Sequence, residues 1–351
     1  MTLQHRAAVR DALPKEVALT WGGLNFDQAS GATVLTAVKL TPAEMPTIGL
    51  SIDEVRLWDF DADFAKARLA GQRLTETASL ASRVEMKGLA VFGLETVMGP
   101  VVDATDAAVE GAVPADPDDP FGDLQTADFG VKLEDYQIGV GRVIIHDLVL
   151  RPYEIKPVAL PATDDFAQIM PLVQNIAAVS RTFATNATAT YDTRVAMTMT
   201  QRGQKMVIDV SAKTSGSRGS RGGDMDAAFA RGLAYLIDIP GDDFIGTPPQ
   251  KIEGSAEFYS YQDMRFEKLL GYVARGEWPP RDEANLLSIG LFRSKNESVK
   301  LNGFDIYSVA ESFFDAREFH WFIPTRLSMG ATDMSYNVGG LIEFAMAAAE
   351  R

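Results

Sequence analysis

Apolar residues alternate with polar ones along much of this chain, and several of the alternating runs end in the same short pattern. The pattern is a small or acidic residue, an apolar residue, any residue, and a second apolar residue. Its five copies cover residues 37–40, 54–57, 88–91, 147–150 and 303–306. Because a period of two places every second side chain on one face of a β-strand, the copies predict stacked antiparallel strands that share one apolar surface.

The strongest strand signal covers residues 133–153, where apolar side chains point to both faces, with Ile144 and Leu148 on the same one. A strand that is apolar on both faces is covered on both sides. Residues 191–200 and 206–210 form an alternating hairpin, and Met197, Met199 and Met206 lie on it. Met is adaptable against ligands of irregular shape.

Helical spacing of apolar residues predicts the remaining elements. The predicted helices cover residues 4–13, 61–69, 163–184, 225–237, 264–273, 308–317 and 338–351. The helix over 163–184 is the longest, with Thr163 as its N-cap and Phe166, Met170 and Val173 on its apolar stripe. We expect this helix to lie across the sheet. Residues 214–223 are rich in Ser, Gly and Arg and predict a flexible loop.

The order of these elements is not the strict βαβ alternation of a parallel sheet. The sequence therefore predicts an α+β fold, in which a long curved, largely antiparallel sheet carries several amphipathic helices packed on it. We expect a β-rich N-terminal half, residues 1–160, and an α+β C-terminal half, residues 161–351. The two halves are expected to form one continuous two-part domain.

Composition narrows the possible functions. The net charge of −15 argues against a nucleic-acid partner, because phosphate binding needs a clustered basic face. The chain has no cysteine, which excludes disulfides, thiolate metal sites and cysteine nucleophiles. There is no apolar run of about 18 residues that could form a transmembrane helix, and the N-terminus has no signal-peptide core.

Histidines and aspartates offer little chemistry. His146 and Asp147 are neighbours but point to opposite faces of a strand, so they do not form part of a catalytic triad. Asp59 begins a D-x-D-x-D run, yet a calcium loop of the EF-hand type would need glycine and glutamate where Phe64 and Ala70 stand. The sequence predicts no catalytic residue, no metal site and no cofactor.

The apolar faces are the remaining functional signal. A long sheet with too few helices to cover it leaves part of its apolar surface as a groove for a ligand. The predicted lining residues of this groove are Ile144, Leu148, Phe166, Met170, Val173, Met197, Met199 and Met206.

Residues 13–21, 31–40, 83–95 and 141–153 together resemble bacterial envelope proteins of the AsmA-like and YdgA-like kind. The resemblance implies a β-rich groove that faces the periplasm, usually behind an N-terminal anchor or signal, and several such proteins are associated with lipid movement between membranes. This chain departs from the pattern because it lacks the anchor and has more predicted helix after Pro161. The family offers no catalytic motif to transfer.

Three functions follow as hypotheses. The first is a soluble periplasmic protein that binds or transfers lipid, or another long apolar ligand, between a curved sheet and the helix over 163–184. The second is a non-enzymatic envelope scaffold or assembly factor with an envelope protein as its partner. The third is a hydrolase of an envelope polymer that uses paired carboxylates. The periplasmic location presumes a leader ahead of Met1, and the sequence leaves a cytoplasmic location open.

Overall fold

A computed structural model shows one open antiparallel sheet of 14 strands. The structure describes residues 17–42, 46–61, 73–74, 76–94, 131–154, 173–174, 177–178, 180–201, 204–241, 248–339, 342 and 346. Strands make up 73% of it and helix 8%. The prediction of an α+β fold with several packed helices is therefore wrong, whereas the predicted antiparallel sheet is confirmed.

The strands are long compared with those of most sheets, where five or six residues are usual. They are β1 Val17–Thr20, β2 Gly23–Asp27, β3 Ala32–Pro42, β4 Gly49–Trp58, β5 Arg73–Leu74, β6 Ala78–Phe92, β7 Val131–Leu150, β8 Tyr153–Glu154, β9 Phe183–Gln201, β10 Gln204–Arg221, β11 Met225–Ile239, β12 Gln250–Met264, β13 Gly290–Leu301, β14 Phe304–His320, β15 Ile323–Thr332 and β16 Ser335–Tyr336. The helix α1, Glu267–Arg275, ends at Gly276, whose φ of 70° is the left-handed conformation that helix ends favour.

The strands of the main sheet follow one another in space much as they do in sequence. The order is β1-β3-β4-β6-β7-β9-β10-β11-β12-β13-β14-β15, with β2 beside β3 and β16 beside β14, while β5 and β8 form a small separate pair. Strands β7 and β9 pair antiparallel over most of their lengths. The sheet therefore passes without a break from residues before 160 to residues after 161.

The two faces of this sheet differ sharply in chemistry. Residues that pair across antiparallel strands lie on the same face, so the register assigns each side chain. One face, here called the apolar face, carries aliphatic, aromatic and hydroxyl side chains. Its N-terminal part consists of Leu35, Val38, Leu40, Leu50, Ile52, Val55, Leu57, Ala81, Val84, Met86, Leu89, Val91, Tyr136, Ile138, Val140, Val143, Ile145, Leu148 and Leu150. Its C-terminal part consists of Thr185, Thr188, Thr190, Thr193, Val195, Met197, Met199, Met206, Ile208, Val210, Ala212, Ser215, Ser217, Ser220, Ala228, Ala230, Leu233, Tyr235, Ile237, Ile252, Gly254, Ala256, Tyr259, Tyr261, Phe292, Ser294, Glu297, Val299, Leu301, Tyr307, Val309, Ser312 and Phe314.

The opposite face, here called the polar face, carries charged side chains that pair across strands. Lys87 Nζ lies 3.0 Å from Glu54 Oε1, and Arg194 Nη2 lies 2.7 Å from Asp209 Oδ2. The most enclosed carboxylate is that of Glu85, a residue only 6% exposed, which accepts hydrogen bonds from Arg83 and Arg142. These pairs keep the outer surface wettable while the other face stays apolar.

Two rows of unusual backbone cross the sheet, and we call them the first and second creases. The first crease follows the register through Ala37, Asp53, Gly88, Gly141, Asp192, Lys213, Gly232, Glu257, Asn296 and Ala310. Every second member has a positive φ, between 47° and 63°. The second crease contains Asp59, Ser82, Asp147, Asn186, Gly219, Asp226, Asp263 and Gly290, and positive φ again recurs at Asp59, Asp147, Gly219 and Asp263.

Each crease changes which residues share a face. Thr193 Oγ1 donates to Thr190 Oγ1 at 3.5 Å across Asp192, and Ser217 Oγ lies 3.1 Å from Ser220 Oγ across Gly219. Residues three apart therefore lie on the same face at a crease, where an uninterrupted strand would place residues two apart. Glycine adopts the left-handed region freely, and Asp and Asn tolerate it better than other residues do.

The creases also explain the repeated sequence pattern. Ala37, Gly88, Asp147 and Gly303 begin four of its five copies, and all four have positive φ. The first three are crease positions, and Gly303 lies in the turn between β13 and β14. The small or acidic residue of the pattern thus marks the left-handed position, and the apolar-x-apolar part that follows returns the strand to the apolar face.

Several helix predictions are corrected by the same geometry. Residues 225–237 belong to β11, residues 308–317 belong to β14, and the predicted flexible loop over 214–223 lies almost entirely in β10. In β11 the apolar-face positions Ala228, Ala230, Leu233 and Tyr235 are spaced by two, three and two residues. The mean spacing of these apolar residues lies between the period of a strand and that of a helix, so the sequence of β11 resembles an amphipathic helix.

The predicted helices have mixed outcomes. The one over 264–273 is confirmed as α1 with shifted ends. Residues 338–339, 342 and 346 are helical, as predicted for 338–351. The helix over 4–13 and most of the one over 61–69 lie outside the described residues. Of the helix over 163–184, the described residues from 173 to 182 are helical, but Phe183 already begins β9. No helix in the described ranges has both the length and the apolarity to cross a membrane.

Candidate functional site

No described element covers the central part of the apolar face. Among the described elements, each strand packs mainly on its neighbours in the sheet, and neither α1 nor any other described helix is laid over the centre. The buried cluster of Leu287, Ala316 and Phe319, which packs with Phe266 and Leu269, lies near α1 beyond the second crease. Most side chains on the central apolar face are only half-buried, because they are shielded by their neighbours in a single layer.

The helical residues before β9 lie close to α1. A Cβ added to Gly276 would lie 2.5 Å from Gln174 Nε2, and one added to Gly271 would lie 3.6 Å from the Arg181 guanidinium carbon. The Arg151 amide donates to the Thr182 carbonyl at 2.8 Å. These contacts place the described part of the predicted cover helix at the α1 end of the sheet, which differs from the expectation that it lies across the sheet.

The predicted lining residues are divided by the structure. Leu148, Met197, Met199 and Met206 lie on the apolar face, where Met206 pairs with Met199 across β9 and β10. Ile144 lies on the polar face, since it pairs with Glu85. The second crease at Asp147 separates Ile144 from Leu148 and reverses the strand's alternation between them. Phe166 and Met170 lie outside the described residues, and Val173 is in the helical segment before β9.

A hydroxyl patch interrupts the apolar face at β9 and β10. It consists of Thr185, Thr188, Thr190, Thr193, Ser215, Ser217 and Ser220. Its members bond to one another, with Thr188 Oγ1 2.7 Å from Ser217 Oγ and Thr190 Oγ1 2.5 Å from Ser215 Oγ. The paired hydroxyls satisfy each other and so lower the polarity of the face there, whereas Thr185 Oγ1 is buried without a hydrogen-bond partner among the described residues.

Glu297 is the one charged residue among the apolar-face residues named above. It pairs across strands with Ala256 and Val309, and its charge acts on the hydroxyl of Tyr259. Tyr235 reaches toward it over Gly254, where an added Cβ would lie only 2.0 Å from the Tyr235 ring. Within the described part of the chain, Glu297 forms no ion pair.

The electrostatics of this site follow from burial and from that single carboxylate. Burial raises the pKa of the Tyr259 hydroxyl, and the negative charge of Glu297 raises it further. The pKa values of Tyr235 and Tyr307 are raised for the same two reasons. Three phenols therefore stay protonated around one carboxylate, and each is able to donate a hydrogen bond into the site.

Sequence reasoning missed the Glu297 site. The alternation of Lys295, Glu297 and Val299 gives no sign that only Glu297 and Val299 point inward. The first crease passes through Asn296, whose φ is 47°, and places Lys295 and Glu297 on opposite faces of the sheet. An asparagine between two charged residues in an otherwise regular strand was the available signal, because Asn favours left-handed backbone.

The other candidate groups are placed apart. His146 lies on the polar face beside Arg83, and His320 lies at the end of β14. Asp59 accepts a hydrogen bond from Ser82 Oγ at 2.6 Å, while Asp63, Phe64 and His5 lie outside the described residues. No cluster of potential metal ligands occurs in the part of the chain that the structure describes.

Two polar depressions near the α1 end are filled by ion pairs. Arg317 Nη2 lies 2.6 Å from Asp315 Oδ2 in one, and Arg151 Nη2 lies 2.6 Å from Glu267 Oε1 beside the other. Beside the second depression, Arg151 Nη1 and Arg181 Nε are buried without a hydrogen-bond partner among the described residues. Comparison with family models, with curated proteins and with solved structures found no match to this chain.

Proposed function

We propose that this protein binds the hydrocarbon chains of lipids or similar amphiphiles on its apolar face and carries them through an aqueous compartment. The observation that supports it is a wide, largely apolar face that carries a single charge among its described positions and is left uncovered at its centre by the described elements. Soluble proteins rarely expose an apolar patch above a few hundred Å² unless it binds something.

The size of the face supports the proposal. Ten strands lie side by side from β3 to β14, and a spacing of about 4.8 Å makes that span roughly 43 Å. Residues 185–199 of β9 reach across the face, and a rise of about 3.3 Å per residue makes that dimension roughly 50 Å. The product, about 2,000 Å², exceeds an ordinary surface patch several-fold.

The creases favour an enclosed ligand. At each crease two consecutive residues face away from the apolar side, for example Tyr191 and Asp192 in β9. The polar side of the strand is therefore longer than the apolar side, so the sheet is expected to bend toward the apolar face. Each methylene removed from water by such a surface contributes about 0.8 kcal/mol, and a long chain needs no charged partner to bind.

The remaining parts of the proposal rest on the resemblance to AsmA-like and YdgA-like proteins. That resemblance implies a periplasmic location and movement of lipid between membranes. The charged polar face is consistent with a carrier that stays dissolved, because its ion pairs and the net charge of −15 keep that surface hydrated.

A scaffold function has one observation in its favour. The edge strand β15 exposes Ile323, Leu327 and Met329 by 64%, 51% and 67%. An exposed apolar edge strand can accept a strand from another protein. An envelope protein that pairs with β15 would make this chain an assembly factor, and a β15 variant with Leu327→Lys would lose such a partner while retaining lipid.

Two neighbouring substitutions in β10 test lipid binding. Val210 lies on the apolar face and Ser211 on the polar face, so Val210→Asp and Ser211→Asp add the same charge to opposite sides of the strand. We expect Val210→Asp to lose lipid that co-purifies in native mass spectrometry and to weaken binding of a fluorescent fatty acid. Ser211→Asp should behave as wild type, since Arg194 pairs opposite it.

Circular dichroism establishes that both variants are folded before binding is compared. Equal binding by Val210→Asp and Ser211→Asp would contradict the proposal. So would a wild-type protein whose affinity for fatty acids is independent of their chain length.

A further inference from the structure

Glu297 is out of place on an apolar face. A carboxylate taken partly out of water is costly unless it is paired or hydrogen-bonded. Several carboxylates of the polar face have cationic partners, such as Lys295 for Glu311 at 2.8 Å and Arg194 for Asp209. Glu297 has phenols around it and no cation among the described residues, so a positive charge is the missing complement of this site.

The residues next to Glu297 are small and lie beneath their larger neighbours, with Ala256 and Val309 each only 2% exposed. Its cross-strand neighbours are Ala256 and Val309, and Gly254 stands diagonally from it on β12. Ser294 lies across the first crease, three residues earlier on β13, and bonds to Ser312 at 2.7 Å. Small side chains therefore surround the carboxylate on the strand floor, while the larger tyrosine rings rise around it.

Aromatic rings extend the site toward the second crease. The Tyr259 and Phe292 rings stack with centroids 5.4 Å apart, and Tyr261 lies 4.9 Å from Phe292. The faces of such rings attract ammonium groups. A carboxylate bordered by several aromatic rings is the chemistry that recognises an ammonium group with apolar substituents.

We propose that Glu297 and the surrounding tyrosines bind the ammonium head of an amphiphile whose hydrocarbon chain lies along the apolar face. This inference rests on the proposed function and adds to it the chemical class of the ligand. The ammonium group lies against the Glu297 carboxylate as its counter-ion, the tyrosine rings border the charged pair, and the chain continues over the aliphatic residues of neighbouring strands.

The test compares two probes of equal chain length, dodecyltrimethylammonium and dodecyl sulfate, below their micelle concentrations. Isothermal titration calorimetry measures both with wild type, Glu297→Gln and Glu311→Gln. The last variant removes the same charge from the polar face, where Glu311 pairs with Lys295. We expect Glu297→Gln to weaken ammonium binding about tenfold, the loss of one charge-assisted contact, and to leave sulfate binding unweakened. Glu311→Gln should not change ammonium binding.

The outcomes separate this inference from the proposed function. An equal effect of the two substitutions would show general attraction to an acidic protein and overturn the inference. Binding that depends on chain length but ignores the head group would overturn the inference and leave the proposed function standing. No binding of either probe would overturn both. If Glu297→Gln does not fold, the affinities of the two probes for the wild-type protein are compared in about 1 M salt, where charges are screened beyond about 3 Å. Equal affinities for the two probes under these conditions would refute the site.

Discussion

The left-handed positions of the creases make a quantitative prediction at Gly232. Its φ is 60°, and the heavy atoms nearest to an added Cβ are Cδ, Cγ and Cβ of Lys213, at 2.8, 2.9 and 3.2 Å. Gly232→Ala therefore tests backbone conformation, with a shift of the Lys213 side chain as an added cost. A left-handed alanine costs about 1–2 kcal/mol, while loss of glycine freedom in the unfolded chain returns about 0.4–1 kcal/mol. The net expectation is a loss of about 1 kcal/mol in the free energy of unfolding.

Gly139 in β7 supplies the matched control. It has no positive φ, and its nearest neighbour to an added Cβ is the Leu89 carbonyl oxygen at 3.4 Å. Gly139→Ala should keep the unfolded-state gain without the conformational penalty and stabilise by about 0.4–1 kcal/mol. The two variants should therefore differ by about 1–2 kcal/mol.

Urea unfolding followed by circular dichroism measures that difference, provided both variants show the same slope against denaturant. A Gly232→Ala variant as stable as Gly139→Ala would refute the reasoning, because it would show that the first crease does not require a left-handed residue in β11. A large change in slope would instead indicate that the substitution altered the extent of folded sheet.

Two further predictions concern titratable groups. Glu85→Gln should lower the free energy of unfolding by about 1–3 kcal/mol, because it removes the charge that Arg83 and Arg142 bind at a nearly buried position. Glu253→Gln, at an exposed pair with Lys251, should lower it by less than about 1 kcal/mol. Equal losses in the two variants would contradict this prediction. Because the folded-state pKa of Tyr259 is raised, its protonated hydroxyl contributes to the free energy of unfolding below the unfolded-state pKa near 10. That contribution is lost as the pH rises above this value. The Tyr259→Phe variant should therefore lose less stability than wild type in urea titrations between about pH 9 and pH 11, and parallel pH profiles would argue against this.

The sequence predicted single strands correctly where the period-two pattern was uninterrupted. Its main error was to predict helices for segments that are strands of the sheet. Met197, Met199 and Met206 could be placed on one face because no crease lies between Met197 and Met199 in β9, or between these residues and the turn to β10. Ile144 and Leu148 could not, because the left-handed Asp147 between them reverses the alternation. Local periodicity assumes regular backbone, and it fails wherever one residue leaves the β region.

The Glu297 site also could not be predicted from local sequence patterns. Glu297 was indistinguishable from the many solvent-facing acids until the register placed it beside Ala256 and Val309. Its tyrosines come from β11, β12 and β14, so no short stretch of sequence contains the cluster. Such a site exists only after long-range pairing, whereas the creases left a local trace in the repeated sequence pattern.

The regular separation of the two creases has a consequence for how this architecture can grow. The two crease positions are 82 and 88 in β6, 141 and 147 in β7, and 290 and 296 in β13, so these strands supply the same profile. The width and curvature of the sheet are therefore set within each strand, whereas its length depends only on the number of strands. Duplication of one hairpin would therefore extend the apolar face without changing its width.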